Sequence, residues 1–143
     1  MKDKYYLDTS IWLNLFKKGG DPKKGVPYWK IAKEFIEKAL LSEKSEIFYS
    51  GFILKELSFK LEESKYKEKV EFFKQELKYA IAINGDYNFA RKLESLPLCR
   101  VSFIDCMHIA MCRRLGSTLV TRDRKLLDFA KKYISAKKPE EIL

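Results

Sequence analysis

Among 143 residues there is one histidine, His108, and there are three cysteines, Cys99, Cys106 and Cys112. A lone histidine without a CxxC pair disfavours zinc, and an odd set of scattered cysteines is not a disulfide scaffold. The three are read as reduced thiols. No run of 18 apolar residues is present, and the opening MKDKYYLDTS carries no apolar segment behind a basic one. Neither membrane insertion nor secretion is expected, so the expected compartment is the cytosol. Also missing are a GxxxxGK[ST] phosphate loop, a GxGxxG turn, a GxSxG elbow, internal repeats and low-complexity tracts. The first three absences argue against P-loop, dinucleotide-binding and serine-hydrolase chemistry.

What the chain does have is positive charge and apolar mass. Lys and Arg number 29 against 20 Asp and Glu, a net charge of +9, and 46% of residues are hydrophobic. That length and composition support one buried core, so a single domain over residues 1–143 is expected. Excess Lys and Arg favour polyanionic partners, because each neutralised phosphate releases counterions. A lysine-rich surface of the kind heat-stable proteins carry explains the charge equally well.

Along the chain, Tyr5 to Leu7 read as a short buried strand, and Ile11, Trp12 and Leu15 then recur at helical spacing. The strand-to-helix junction is Asp8-Thr9-Ser10. The segment Lys17 to Pro27, KKGGDPKKGVP, sustains neither period and reads as a mobile basic loop. Trp29, Ala32, Phe35, Ile36, Ala39 and Leu40 trace one face of a helix over Tyr28 to Leu41. Glu46 to Ser50 reads as a strand, with Ser50 placed to cap the helix that follows and Glu56 off its apolar stripe. A charged amphipathic helix runs from about Lys65 to Leu77, and Tyr79 to Ile83 reads as a strand. Asn84-Gly85-Asp86 reads as a turn or cap ahead of a helix through Leu96, which Pro97 closes. Ser102 starts another, with Ile104, Met107, Met111 and Leu115 on one side and Gly116 at its end. Thr118 to Val120 form a strand, Asp123 opens a helix over Arg124 to Lys132, and Tyr133 to Ser135 read as the last strand. Short strands alternating with helices predict an α/β fold in three layers: a central parallel sheet of about 4–5 short strands flanked by helices.

In such sheets ligands bind beyond the carboxyl ends of the strands. Asp8 and Asp123 stand at that edge, Asp105 lies in the first turn of its helix, and Glu56 lies in the second turn of the helix after EIFYS. Each acid also has a local explanation. Asp8 and Asp123 suit helix caps, Ser102 and Asp105 have capping-box spacing, and Glu56 fits an exposed helical face. Convergence separates the readings, since four carboxylates together repel one another unless a cation sits among them. Oxygen-only ligands suit Mg2+ or Mn2+. His108, one turn beyond Asp105, is more simply a packed, hydrogen-bonded histidine than a catalytic one. An aspartyl phosphatase would need an acid where Ser10 stands, and a phospho-receiver domain would need a lysine where the STLVTRD strand ends in Thr121, Arg122 and Asp123.

LDTSIWLN (Leu7 to Asn14), SGFILKEL (Ser50 to Leu57), SFIDCMHIAMC (Ser102 to Cys112) and LVTRDRKLL (Leu119 to Leu127), in this order, resemble the PIN-domain family, especially the toxin ribonucleases of VapC-type toxin–antitoxin pairs. The resemblance covers nearly the whole chain and places the family's four acids on Asp8, Glu56, Asp105 and Asp123. It implies an RNA-cleaving enzyme using one or two Mg2+ or Mn2+ ions, a homodimer, and a small antitoxin protein over the cleft. It also matches Thr9 and Thr121 to positions that support the acids or a metal water, although both suit helix capping. Metal held by Asp8, Asp105 and Asp123 would activate water, with Glu56 completing the shell or orienting that water.

Arg113, Arg114, Arg122, Arg124 and Lys125 flank the third and fourth acids and are candidates for phosphate contact, although ion pairing with carboxylates competes for them. Lys17, Lys18, Lys23 and Lys24 suit a basic arm over the cleft. Tyr28, Trp29, Phe35, Phe72 and Phe73 fit core packing more simply than base stacking or a subunit interface. The alternative function is a non-cleaving RNA-binding or regulatory domain of the same fold, and a DNA-directed nuclease is a third.

Overall fold

The computed structural model describes residues 2–18 and 25–143. Five parallel strands form one sheet in the order β3-β2-β1-β4-β5: β1 Asp3–Leu7, β2 Ser45–Ser50, β3 Lys78–Ala80, β4 Thr118–Val120 and β5 Ala136–Lys137. Seven α-helices lie among the described residues: α1 Thr9–Phe16, α2 Tyr28–Leu41, α3 Gly51–Lys60, α4 Glu63–Glu76, α5 Asn84–Glu94, α6 Phe103–Leu115 and α7 Arg124–Ala130. A short 3-10 turn, Pro139–Glu141, follows β5. The three-layer α/β architecture expected from the sequence is the one observed.

The pleat of β1 separates the layers, because successive side chains of a strand point to opposite faces. Tyr5 meets Phe35 of α2 edge-on, with ring centroids 5.1 Å apart, while Tyr6 faces His108 of α6 across 5.3 Å. On the α2 side, Trp12 and Phe16 of α1, Tyr49 of β2 and Phe73 of α4 form a ring cluster, Trp12 and Phe73 being 4.6 Å apart. Phe35 and Phe73 are thus core residues and Phe72 packs against the core, whereas Tyr28 is exposed. On the other side α6 is buried continuously from Cys106 to Cys112, not along one stripe, because it is covered by α5 as well as by the sheet.

Several boundaries differ from expectation for identifiable reasons. The third strand is Lys78–Ala80 rather than Tyr79 to Ile83. Arg114 takes the Ile81 carbonyl at 2.8 Å, and the Ile83 N–H donates to Asp86, so the chain turns into α5 early. The last strand is Ala136–Lys137, since the Tyr133 and Ile134 N–H groups donate back to Ala130 as a turn and leave Ala136 to pair with Leu119. Ser50 occupies the N-cap position of α3 without capping it, because its hydroxyl lies 2.6 Å from the Tyr6 hydroxyl. Gly116 ends α6 at φ +67, the left-handed region where a side chain is strained. Among the described residues no helix is long and apolar enough to cross a membrane.

Candidate active site

Asp8 leaves the end of β1 as the N-cap of α1 and is almost fully buried, 6% exposed. Its Oδ1 accepts from the Ser10 amide at 3.1 Å and the Ser10 hydroxyl at 2.5 Å, and its Oδ2 accepts from the Thr121 hydroxyl at 2.9 Å. Ser10 Oγ in turn accepts from the Arg122 amide, and Thr121 Oγ1 from the Asp123 amide. One carboxylate therefore joins the ends of the two neighbouring strands β1 and β4. Burial pushes the Asp8 carboxyl up to about 6; the hydroxyls of Ser10 and Thr121 and the imidazole of His108 oppose the rise, and the charge of Asp105 adds to it.

Asp105 is held by the cap of α6, where its amide donates to Ser102 Oγ at 3.1 Å. Burial raises its carboxyl, His108 and Ser102 oppose, and the charges of Glu56 and Asp123 raise it further. Asp123 caps α7, its Oδ1 accepting from the Lys125 and Leu126 amides at 3.0 and 3.3 Å. Glu56 Oε1 accepts from the Thr9 hydroxyl at 2.8 Å and meets His108 Nε2 at 3.0 Å. Burial alone would raise the Glu56 carboxyl, but the His108 contact together with Thr9 and Lys60 overturns this and holds it low.

Hydrogen bonds bring the four acids into one neighbourhood, since Asp8 bonds Thr121, two residues before Asp123, and Glu56 bonds Thr9, next to Asp8, and His108, one turn after Asp105. The charges of Glu56 and Asp123 accordingly raise Asp105, and that of Asp105 raises Asp8. For Asp8 and Asp123 the capping side chain is also the converging one, so the two explanations do not compete, whereas at α6 Ser102 alone caps and the Asp105 carboxylate takes no part in a capping box. Thr9 and Thr121 support acids by direct hydrogen bonds. Among the described residues no three His, Cys, Asp or Glu side chains are arranged to hold an ion as they stand; the carboxylates of Asp8 and Asp123 are turned to amide donors at their own helix ends. The chemistry of the set fits a hard divalent cation: oxygen donors only, mutually repelling, with two of them pushed toward the neutral form.

The basic residues divide. Arg114 grips both oxygens of Asp86 from Nε at 3.0 Å, and Asp86 is only 2% exposed. Arg122 forms a two-point pair with Glu140 at 3.0 and 2.8 Å and lies 3.9 Å over the Tyr28 ring. Both are committed to fold contacts rather than presented to a ligand. Arg113 lies over Phe89, Arg124 makes a long 3.9 Å pair with Asp128, and Lys125 is exposed beside Asp123. Lys17 and Lys18 are exposed, Lys18 above the Trp29 ring, while Lys23 and Lys24 lie outside the described residues.

A family model for the PIN domain matches residues 5–132. The chain belongs to the PIN-domain family. Solved structures that resemble this PIN protein include VapBC-1 from nontypeable Haemophilus influenzae, with a TM-score of 0.68 at 16% identity, covering 96% of this chain and 98% of that one. VapBC2 from Rickettsia felis, bound to a promoter DNA fragment, gives 0.66 at 18% identity, covering 94% and 98%. VapC20 from Mycobacterium tuberculosis, a sarcin–ricin-loop-cleaving toxin, gives 0.66 at 18%, covering 91% and 95%. At these identities the likeness is one of fold. No curated protein matches the sequence.

Sequence reasoning underrated the buried chain behind the acids. His108, 0% exposed, bridges Glu56 through Nε2 and the Tyr6 hydroxyl through Nδ1 at 2.8 Å, and Tyr6 passes the chain on to Ser50. An ionised Glu56 only accepts, so Nε2 carries the proton. The available signal was His108 three residues after Asp105, which puts both on one helical face.

Proposed function

We propose that this PIN protein is a divalent-metal-dependent endoribonuclease and the toxin of a toxin–antitoxin pair. The observation that carries the reading is a hydrogen-bond network that draws the four acids together: Asp8 bonds Thr121, two residues before Asp123, and Glu56 bonds both Thr9, next to Asp8, and His108, one turn after Asp105. A stability role alone gives no reason to gather four acids, two of them with raised carboxyls, at one place. Asp8, Asp105 and Asp123 would hold Mg2+ or Mn2+, which when bound lowers the pKa of an attached water and neutralises charge on the phosphoryl oxygens.

The chain's own residues do the positioning. Ser10 and Thr121 clamp both oxygens of Asp8, and Ser102 sets the turn that presents Asp105. His108 and Thr9 both bind Oε1 of Glu56, which leaves Oε2 to orient the attacking water. Arg113, Arg124 and Lys125 contact RNA phosphates, with exposed Lys17 and Lys18 beyond them. A small antitoxin covering the cleft belongs to the same proposal, supported by neighbours solved as VapBC, and so does a homodimer, which rests on the motif resemblance alone.

The test is cleavage of structured and unstructured RNA with Mg2+, Mn2+ or chelator, beside Asp8→Asn and Asp105→Asn. Metal-dependent cutting that falls at least about 100-fold in either variant is expected. Cutting that survives chelation and both substitutions would refute the reading. RNA binding without cutting under any metal would favour the non-cleaving alternative.

A further inference from the structure

Cys99 and Cys106 stand apart from the four-acid chemistry. Their sulfurs are 3.9 Å apart, across the loop that joins α5 to α6. Cys106 is fully buried on α6 directly after Asp105, whereas Cys99 is partly exposed in irregular chain. We propose that this pair is an oxidative modification site, closed by hydrogen peroxide to an intramolecular Cys99–Cys106 disulfide.

Three observations carry it. A disulfide needs sulfurs at about 2.05 Å, so closure asks for a movement of about 2 Å, which a loop residue makes more readily than a packed helix. Partial exposure lets peroxide reach Cys99, while burial keeps Cys106 for the second step. Cys112, the remaining thiol, is buried further along α6 and outside the pair.

The steps balance. The Cys99 thiolate attacks one peroxide oxygen and the O–O bond breaks; the hydroxide released takes up the proton the thiol gave up, leaving Cys99 as a sulfenic acid and one water. The Cys106 sulfur then attacks the Cys99 sulfur, the S–O bond breaks, and the departing hydroxyl leaves with the Cys106 proton as the second water. Two thiols lose two electrons and one peroxide gains them. The product fastens the turn that carries Asp105 to the preceding loop.

The experiment treats the full, freshly reduced chain with hydrogen peroxide and counts thiols after denaturation. The expected count falls from three to one, with a mass loss of two hydrogens, no covalent dimer, and recovery on adding dithiothreitol. Trypsin, cutting after Arg100, should release the peptide 93–100 joined to 101–113, and fragmentation of that pair should place the bond on Cys106 and not on Cys112, which the second peptide also carries. Cys112→Ala should form the same crosslink, and Cys99→Ser should form none. Three surviving thiols, a disulfide through Cys112, a covalent dimer, or Cys99 driven to a sulfinic acid beside a free Cys106 would each overturn the proposal. No readout depends on RNA cleavage, so this inference and the proposed ribonuclease activity fail separately.

Discussion

At the scale of single residues, Asp8 carries the most informative titration. Its carboxyl lies near 6 in the folded chain against an ordinary 3.8. The folded state therefore binds this proton more tightly than the unfolded chain does. Its ionised form is fully destabilising above about pH 6, and the penalty is relieved as pH falls from there toward 3.8. In metal-free protein, Asp8→Asn should raise stability at pH 7.5 by on the order of 1 to 3 kcal/mol, with most of the gain gone at pH 4. Thermal unfolding of both proteins at the two pH values checks this, and an equal difference at both would show that Asp8 is not held toward its neutral form. The acids themselves were legible in the sequence because a carboxylate interrupts apolar residues where the period changes. Thr9 and Thr121, which bond two of them, were legible by motif, whereas the chain behind Glu56 was not, since Tyr6, Ser50 and His108 come from three distant elements and meet only through the sheet register. His108→Asn should free Glu56 and lower kcat while leaving RNA affinity within about two-fold, measured by cleavage kinetics beside equilibrium binding. An equal loss in affinity would place His108 in binding rather than in positioning.

At the scale of elements, α6 is the spine of the site, since it holds Asp105 and His108 and runs through the core. Its start depends on Ser102, and Ser102→Ala should destabilise the fold by about 1 kcal/mol in urea unfolding while also loosening Asp105. Its last turn carries Arg114, whose pairing with buried Asp86 ties α6 to α5. Arg114→Ala should therefore destabilise by about 2 to 4 kcal/mol, because it strands a buried carboxylate. Lys125→Ala, by contrast, should leave unfolding unchanged and weaken RNA binding. A stable Arg114→Ala protein with weakened RNA binding would return Arg114 to the phosphate-contacting set. Sequence pattern located the helices well, since period and caps are local signals, as Ser102 and Gly116 illustrate. It misplaced β3 and β5 because strands of three and two residues are defined by what they pair with, not by their own pattern.

At the scale of the whole molecule, the parallel sheet with helices on both faces was legible from the alternation of elements, and the PIN motifs followed their order in it. Which cations are committed to the fold was not legible, because Arg122 and Arg124 look alike in sequence and the partners that hold Arg122, Tyr28 and Glu140, lie far from it along the chain. The net charge of +9 predicts RNA affinity that falls steeply with salt. Removing Arg113, Arg124 and Lys125 together should reduce the slope of log K against log salt by about 2 if they contact single-stranded phosphates. The central claim, that acids scattered along the chain form one site for a hard cation, is tested most directly by titrating Mn2+ into the protein and following free ion by electron paramagnetic resonance. The account predicts saturable binding of one or two ions that is lost in folded Asp8→Asn and Asp105→Asn. Binding of equal strength in all three proteins would contradict it.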